Sequence, residues 1–126
     1  MEIKAITTDK APAAIGPYSQ AVRAGNTLYV SGQLPIDMKT GAIPPDIREQ
    51  VWCSMDNICE ILKAAGGSIK NAVRMTIFLK DMNSFAEVNE VYASYFEGYA
   101  PARSTVEVSR LPKDALVEID CIAVLP

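Results

Sequence analysis

The sequence predicts an α+β domain in which two helices cover one face of a mixed β-sheet. Two segments carry apolar residues at helical spacing, and several short segments are rich in β-branched and aromatic residues. Turns containing glycine and proline separate these segments. A chain of 126 residues without an internal repeat fits a single domain over residues 1–126.

The first half of the chain predicts three strands and a helix. The segments EIKAIT and SQAVRAG indicate a hairpin, and LYVSGQ (Leu28–Gln33) indicates a third strand. Asp46 is placed to cap the following helix, with Glu49 three residues later as in a capping box. Gly66 and Gly67 end the helix. Its apolar stripe consists of Ile47, Val51, Met55, Ile58, Leu62 and Ala65.

The second half predicts a strand, a helix and two further strands. VRMTIFL (73–79) alternates as a strand does, and Ser84 and Glu87 repeat the capping-box spacing before a helix that ends near Gly98. Two strands follow at 103–109 and 115–124, joined by the turn RLPKD. Because two helices cover only one face of such a sheet, we expect an oligomer to cover the other. The apolar face of the second helix carries Phe85, Val88, Tyr92 and Tyr95.

Composition excludes several classes of protein. The net charge is −3, so no basic surface indicates nucleic-acid binding. No apolar run is long enough to span a membrane, and the N-terminus MEIK lacks the apolar segment of a signal peptide. The odd number of cysteines (Cys53, Cys59 and Cys121) without CxxC spacing argues against a disulfide framework and predicts buried free thiols. We therefore expect a cytoplasmic protein without a membrane partner.

The chain contains no histidine. This absence excludes Ser-His-Asp and Cys-His nucleophilic catalysis, and it removes the commonest transition-metal ligand. Any acid–base chemistry therefore depends on carboxylates, tyrosine, lysine, cysteine or bound water.

Arg103 and Glu118 are the two charged residues that most need an explanation. Arg103 lies at the start of a strand after Pro101, on the same face as Thr105. Glu118 interrupts an otherwise apolar strand, where a charge is costly unless it is paired or used. One interpretation is a structural ion pair, between these two residues or between Arg103 and another carboxylate. The other is a carboxylate-binding arginine with a nearby carboxylate base, since the planar guanidinium matches a carboxylate.

Other candidate residues lie on turns and on the second helix. Tyr18 follows a Gly-Pro turn in IGPYSQ, and Ser31 and Gly32 lie in VSGQLP, where glycine permits close backbone approach. Asn89 and Tyr92 are three residues apart on the second helix. Each also has an ordinary interpretation as a packing residue, a bulge or part of a solvated face.

Five segments together resemble the RidA (YjgF/YER/L-PSP) family: IGPYSQAV, LYVSGQLP, NAVRMTIFLKDM, NEVYASYF and PARSTVEVSRLPKDALVEIDCIA. The likeness runs from about Ile15 to Ala123 and is most specific in the last segment. It implies a chorismate-mutase-like fold and a homotrimer whose sheets form a central barrel with the helices outside. The trimer comes from this resemblance and not from residue spacing.

The resemblance also implies an activity. Members deaminate reactive enamines such as 2-aminoacrylate and 2-aminocrotonate, with their 2-imino acid tautomers, to 2-keto acids and ammonia, using no metal and no cofactor. Arg103 then matches the arginine that holds the substrate carboxylate, and Glu118 matches the glutamate that orients or activates water. The matching pocket positions, some contributed across the subunit interface, are Tyr18, Ser31, Gly32, Asn89, Tyr92 and Thr105; many members carry cysteine at the position of Thr105.

Two other functions remain open from the sequence. Some relatives are described as endoribonucleases that inhibit translation, although the acidic net charge and the absence of histidine argue against that reading here. The same Arg103 pocket could also serve a non-catalytic regulator that binds a small keto acid.

Overall fold

The computed structural model describes residues 2–126, which form six strands and two α-helices, with short 3₁₀ turns in three of the connections. Their order, β-β-β-α-β-α-β-β, is the order that the sequence predicted. The elements are β1 (Ile3–Ile6), β2 (Ala21–Ala24), β3 (Thr27–Gln33), α1 (Ile47–Ala64), β4 (Ala72–Leu79), α2 (Phe85–Ala93), β5 (Ala102–Glu107) and β6 (Val117–Val124).

All the strands form one sheet in the order β1-β2-β3-β6-β4-β5. Neighbouring strands are antiparallel except β4 and β5, which are parallel. Parallel neighbours need a long crossover, and α2 lies within this one. The sheet is therefore mixed, as predicted.

Both helices pack against the same face of the sheet and enclose the core. Helix α1 contacts β3 and β6 at the centre of the sheet, and α2 packs beside α1. The apolar stripe predicted for α1 is buried, because each step of three or four residues returns a side chain to the sheet. The largest fully buried side chains include Leu28, Met55, Ile58, Ile61, Leu62, Met75, Ile77, Leu79 and Ile119.

Helix α1 begins and ends at the predicted residues. The Asp46 carboxylate accepts a hydrogen bond from the backbone N–H of Glu49 (3.1 Å), which satisfies one of the free N–H groups of the first turn. After the last turn, Gly66 takes a positive φ of 90°, and the Gly67 N–H donates to the Leu62 carbonyl (2.9 Å). A side chain at position 66 would be strained in this conformation.

The predicted capping of α2 was wrong. Ser84 makes no capping hydrogen bond, because its backbone is already helical as the last residue of a 3₁₀ turn at Met82–Ser84. The Asp81 side chain caps that turn by accepting from the Asn83 N–H (2.9 Å). The helix also ends at Ala93, earlier than the predicted end near Gly98.

The two C-terminal strands are shorter than predicted. A 3₁₀ turn at Pro112–Asp114 separates β5 from β6, and within it Lys113 and Asp114 both have positive φ values, 57° and 55°. The three cysteines are free thiols, with Cys121 buried and the other two half-buried. Over residues 2–126, no helix combines the length and the apolar character that crossing a bilayer requires.

The second face of the sheet carries no helix. Because side chains alternate along a strand, the residues between the core positions of β6 point to this face. It is rich in apolar groups: Ile3 is 73 % exposed and Tyr29 51 % exposed. Val106 and Val124 are exposed there as well. We call it the open face. A surface of this kind favours burial against another protein.

The contrast between the two helix starts can be tested. We expect Asp46→Ala to lower the free energy of unfolding by about 1 kcal/mol, because a capping hydrogen bond is lost. Ser84→Ala should change it by less than ~0.5 kcal/mol, since Ser84 makes no such bond. Urea unfolding of both variants measures the two values. A larger effect of Ser84→Ala would contradict the assigned capping.

Candidate active site

The candidate residues fall into two groups on opposite faces of the sheet. Arg103 and Thr105 pair in register with Met75 and Ile77, which belong to the core beneath the helices. Residues in register on neighbouring strands share a face, so Arg103 and Thr105 point to the helices. Glu118 lies between core residues of β6 and therefore points to the open face.

The Arg103 group is built on β5 and α2. The Arg103 Nη1 donates to the Asn89 Oδ1 over 2.7 Å. The guanidinium carbon lies 4.9 Å from the centre of the Tyr92 ring and 5.6 Å from that of Phe85, within the range of cation–π attraction. The structure thus brings together Arg103, Asn89 and Tyr92, three residues that the resemblance assigned to the substrate pocket.

Phe85 is a member of this group that the sequence analysis did not single out. A signal was present, because Phe85, Asn89 and Tyr92 are spaced at four and three residues and therefore share one face of α2. From its spacing, Phe85 was expected only on the apolar face of the second helix. Phe85 is the first residue of α2, and from there its ring packs against the Arg103 guanidinium on the edge strand β5.

Two buried hydroxyl groups in this region have no hydrogen-bond partner in the structure, that of Tyr92 and that of Thr105. Burial raises the pKa of Tyr92 to about 12, although the charge of Arg103 opposes the shift. The phenol is therefore neutral at physiological pH. The Tyr92 ring packs on the Arg103 guanidinium and on the Phe96 ring, and the two ring centroids lie 4.9 Å apart. Tyr92 therefore makes its contacts through its ring and not through its hydroxyl group.

A cavity of about 460 Å³ opens beside the Arg103 guanidinium. Its polar side chains are those of Asn89 and Arg103, and the rest of the lining is aromatic or small. A concave space with few polar groups and one cation suits a small organic anion. The lining residues include Asn89, Tyr92, Phe96, Tyr99 and Arg103.

The Glu118 group is built on a bulge in β3. Val30 pairs with Cys121 and Gln33 with Ile119, so two residues of β3 (Ser31 and Gly32) oppose a single residue of β6. The bulge brings the Gly32 backbone against the Glu118 carboxylate. A Cβ atom at position 32 would lie 2.1 Å from the Glu118 Oε2, closer than any real contact. Position 32 must therefore be glycine while Glu118 keeps this orientation.

The Glu118 carboxylate is half-buried and close to a second acid. Burial raises the pKa of Glu118, and the carboxylate of Asp120, two residues along the same face, raises it further. Burial also raises the pKa of Asp120, against the lowering effect of hydrogen bonds from Thr76 and the charge of Arg74. A carboxylate with a raised pKa is a stronger base than one in water.

Two further candidate residues, Tyr18 and Ser31, lie near Gly32, the residue that the Glu118 carboxylate contacts. Tyr18 is in the connection between β1 and β2, residues 7–20, which we call the Tyr18 loop. It lines a small cavity of about 50 Å³ together with Gly32. The Ser31 hydroxyl donates to the Ser19 carbonyl (2.6 Å), so its proton is already used within the chain.

The ion pair between Arg103 and Glu118, one interpretation of the sequence, does not form within the chain. The two side chains lie on opposite faces of the sheet, a separation that neither can bridge. The ion pairs among the described residues are Arg48–Glu90 (3.0 Å) and Arg110–Asp114 (2.8 Å), and both are exposed. In residues 2–126, no cluster of three or more acidic or cysteine side chains forms a metal-binding set.

Comparison with known proteins places the chain among close relatives. The profile of the family described as Endoribonuclease L-PSP matches residues 8–125. The chain is 49 % identical over 124 residues to the 2-iminobutanoate/2-iminopropanoate deaminase of Escherichia coli K12, covering 96 % of this chain and 97 % of that protein. It is 56 % identical over 119 residues to a RutC family protein of Pyrococcus horikoshii, covering 94 % of each. The solved structure of E. coli TdcF with bound serine superposes with a TM-score of 0.94 at 45 % identity, covering 98 % and 99 % of the two chains.

The raised pKa of Glu118 predicts a pH-dependent effect of Glu118→Gln on stability. The ionised carboxylate is less favourable in the folded chain than in the unfolded chain, so Gln should raise the free energy of unfolding at pH 7. The gain should shrink as the pH falls through the folded-state pKa. It should vanish below the unfolded-state value, where both states are protonated. Urea unfolding at pH 7 and at about pH 3.5 tests this, and a gain that does not change with pH would contradict it.

Because the Tyr92 hydroxyl has no hydrogen-bond partner, we expect that this group does not stabilise the folded chain. A buried polar group without a partner costs about 1–3 kcal/mol. We therefore expect Tyr92→Phe to melt at the same temperature as the wild type or higher. Tyr95→Phe is the matched control. The Tyr95 hydroxyl donates to Asp56 (2.6 Å), so its removal should lower the melting temperature. Thermal unfolding that ranks the two variants the other way would contradict the assignment.

Proposed function

The chain belongs to the RidA (YjgF/YER/L-PSP) family, whose profile is described as Endoribonuclease L-PSP, and from that premise we propose an imine deaminase. The proposed reaction is the hydrolysis of reactive enamines, such as 2-aminoacrylate and 2-aminocrotonate, and of their 2-imino acid tautomers. The products are 2-keto acids and ammonia. The observation that carries the proposal is the Arg103 guanidinium, which is held by Asn89 and two aromatic rings beside an open cavity.

Arg103 holds the carboxylate that every 2-imino acid carries. A guanidinium has five N–H donors, and Asn89 accepts from Nη1. The remaining donors are available to a planar carboxylate, which takes two parallel hydrogen bonds from such a fork. The rings of Tyr92 and Phe85 pack on the guanidinium, so it meets its ligand already oriented.

Glu118 activates the water. Its carboxylate accepts a proton as the water oxygen attacks C2 of the imine, and it returns that proton to the nitrogen. This gives a carbinolamine, whose hydroxyl proton Glu118 then removes and passes to the amino nitrogen. The C–N bond breaks as the C2 carbonyl forms, and ammonia leaves. The raised pKa of Glu118 makes it a better base, and general-base catalysis of this kind contributes about 10²–10⁴-fold. The reaction as proposed needs no metal and no cofactor.

The active site is shared between two copies of the chain. Arg103 and Glu118 face opposite sides of one sheet, so a substrate held by one cannot reach the other in the same copy. We therefore include in the proposal a homotrimer in which the open faces pack around a central barrel. Each site then combines the Arg103 group of one copy with the Glu118 group of its neighbour. The apolar open face supports such packing.

The location and partners of the protein complete the proposal. It acts in the cytoplasm on small imino acids, releases keto acids and assembles with further copies of itself, without a membrane partner. Ribonuclease activity is the second candidate, and the observation that favours it is the description of the matching family profile. The net charge of −3 and the absence of histidine count against RNA cleavage. A regulator that binds keto acids without turnover is the third possibility.

The shared site predicts complementation between two inactive variants. Arg103→Lys keeps the charge but loses the fork, and we expect imine hydrolysis to fall about tenfold to a hundredfold. Glu118→Gln keeps the shape but loses the base, and it should bind keto acid with little turnover. Refolding the two variants together should restore roughly a quarter of the wild-type rate, since each mixed cyclic trimer contains one intact site.

The measurement is deaminase activity with imines generated by an amino-acid oxidase and trapped by semicarbazide. Refolding each variant alone is the control for the mixture, and thermal unfolding shows that each variant is folded. A mixture no more active than its components would reject the shared site. A wild-type protein that binds keto acid without turnover would favour the regulator, and RNA cleavage in the same preparation would favour the ribonuclease.

A further inference from the structure

The Tyr18 loop is long for a connection between two paired strands. It joins the antiparallel neighbours β1 and β2 through residues 7–20 and contains no strand or helix of its own. Hairpin connections usually have two to five residues, and longer loops that stay compact are held by their own side chains. The loop carries Tyr18, which is 53 % exposed, so what holds the loop also sets the position of that ring.

The side chain of Gln20 ties the loop together. Gln20 is the last residue of the loop and is 3 % exposed. Both the oxygen and the nitrogen of its side-chain amide form hydrogen bonds. The Oε1 accepts from the Thr8 N–H (2.7 Å), and the Nε2 donates to the carbonyls of Thr8 (3.0 Å) and Pro12 (2.8 Å). A longer bond reaches the Ala11 carbonyl (3.3 Å). One side chain thus satisfies backbone groups that a β-ladder would otherwise pair.

A second tether fixes the same end of the loop to the bulge in β3. The Ser31 hydroxyl donates to the Ser19 carbonyl (2.6 Å), and the Ser31 N–H donates to the Gln20 carbonyl (2.9 Å). Ser31 is the neighbour of Gly32, against which the Glu118 carboxylate lies. The loop and the Glu118 group are therefore built on one short piece of backbone.

We infer that Gln20 is a positioning residue for the active site: its amide holds the Tyr18 loop so that the Tyr18 ring forms a wall beside Gly32 and Glu118. This inference rests on the proposed function for its effect on catalysis, but not for the tether itself. Gln20 lines the same small cavity as Tyr18 and Gly32. Within the loop, the Tyr18 N–H donates to the Gly16 carbonyl (2.9 Å).

Limited trypsin digestion tests the tether without reference to activity. Lys10 lies in the loop between the residues that Gln20 binds and is exposed, so cleavage after it reports how often the loop opens. We expect Gln20→Met, which removes every hydrogen bond, and Gln20→Asn, which withdraws the amide by one methylene, to be cut there about tenfold faster than the wild type. Mass spectrometry identifies the site.

Gln50→Asn is the matched control for digestion. Gln50 is also a buried amide at 3 % exposure, and it ties the Pro44 carbonyl (2.8 Å) to the Leu116 N–H (2.9 Å), outside the Tyr18 loop. The Gln50→Asn variant should melt at a lower temperature than the wild type, but trypsin should not cut it faster at Lys10. Faster cleavage in this control, or unchanged cleavage in both Gln20 variants, would overturn the assigned tether.

Imine hydrolysis tests the link between the tether and the site. We expect Gln20→Asn to raise KM about tenfold while kcat changes less than about threefold, because Arg103 and Glu118 stay on their strands and only the wall moves. Faster cleavage at Lys10 with an unchanged KM would overturn the role in positioning. A wild-type protein inactive towards imines would overturn the proposed function, and the digestion would still decide the tether.

Discussion

The alternation of side chains along β5 and β6 is the constraint on which the rest of this structure depends. The two strands flank β4, and each has one face directed towards the helices and one directed away from them. Arg103 falls on the helix side, where α2 supplies Asn89 and two rings to hold it. Glu118 falls on the open face, where the helices cannot reach it. A shift of one residue in either strand would exchange these environments.

This constraint keeps the two charged groups apart within one copy of the chain. A cation and a carboxylate that could meet within the chain would form an ion pair, and neither would then be free for a ligand. Separated by the sheet, the guanidinium retains free donors, and the carboxylate keeps the raised pKa that its burial and Asp120 give it. The protein thus carries two partly exposed charged groups that have no ion-pair partner among residues 2–126.

The sequence was enough to predict what short-range patterns determine. The helical stripe of α1, its Asp46 cap and its glycine end all follow from spacing within one element, and they were correct. The family resemblance assigned Arg103, Asn89 and Tyr92 to one pocket, but it did not say which pocket residues lie together in a single chain. The cap of α2 failed because a residue's role depends on its backbone angles, and Asp81 initiates a 3₁₀ turn that leaves Ser84 already helical. The opposite faces of Arg103 and Glu118 depend on strand order and register, which no local pattern contains. The hydrogen bonds of Gln20 could not be predicted from the sequence either, because their partners lie 8 to 12 residues away in an irregular loop.

The contact between Gly32 and Glu118 links two positions that are far apart in the chain. Since a Cβ atom at position 32 would overlap the Glu118 carboxylate, the two positions cannot vary independently. A side chain at position 32 would force the Glu118 carboxylate to turn away from the bulge, whereas a chain without the acid has room at position 32. In evolutionary terms the two positions are coupled, because a glutamate at position 118 takes this orientation only beside a residue that has no side chain. The pair, rather than either residue alone, presents the carboxylate in this way.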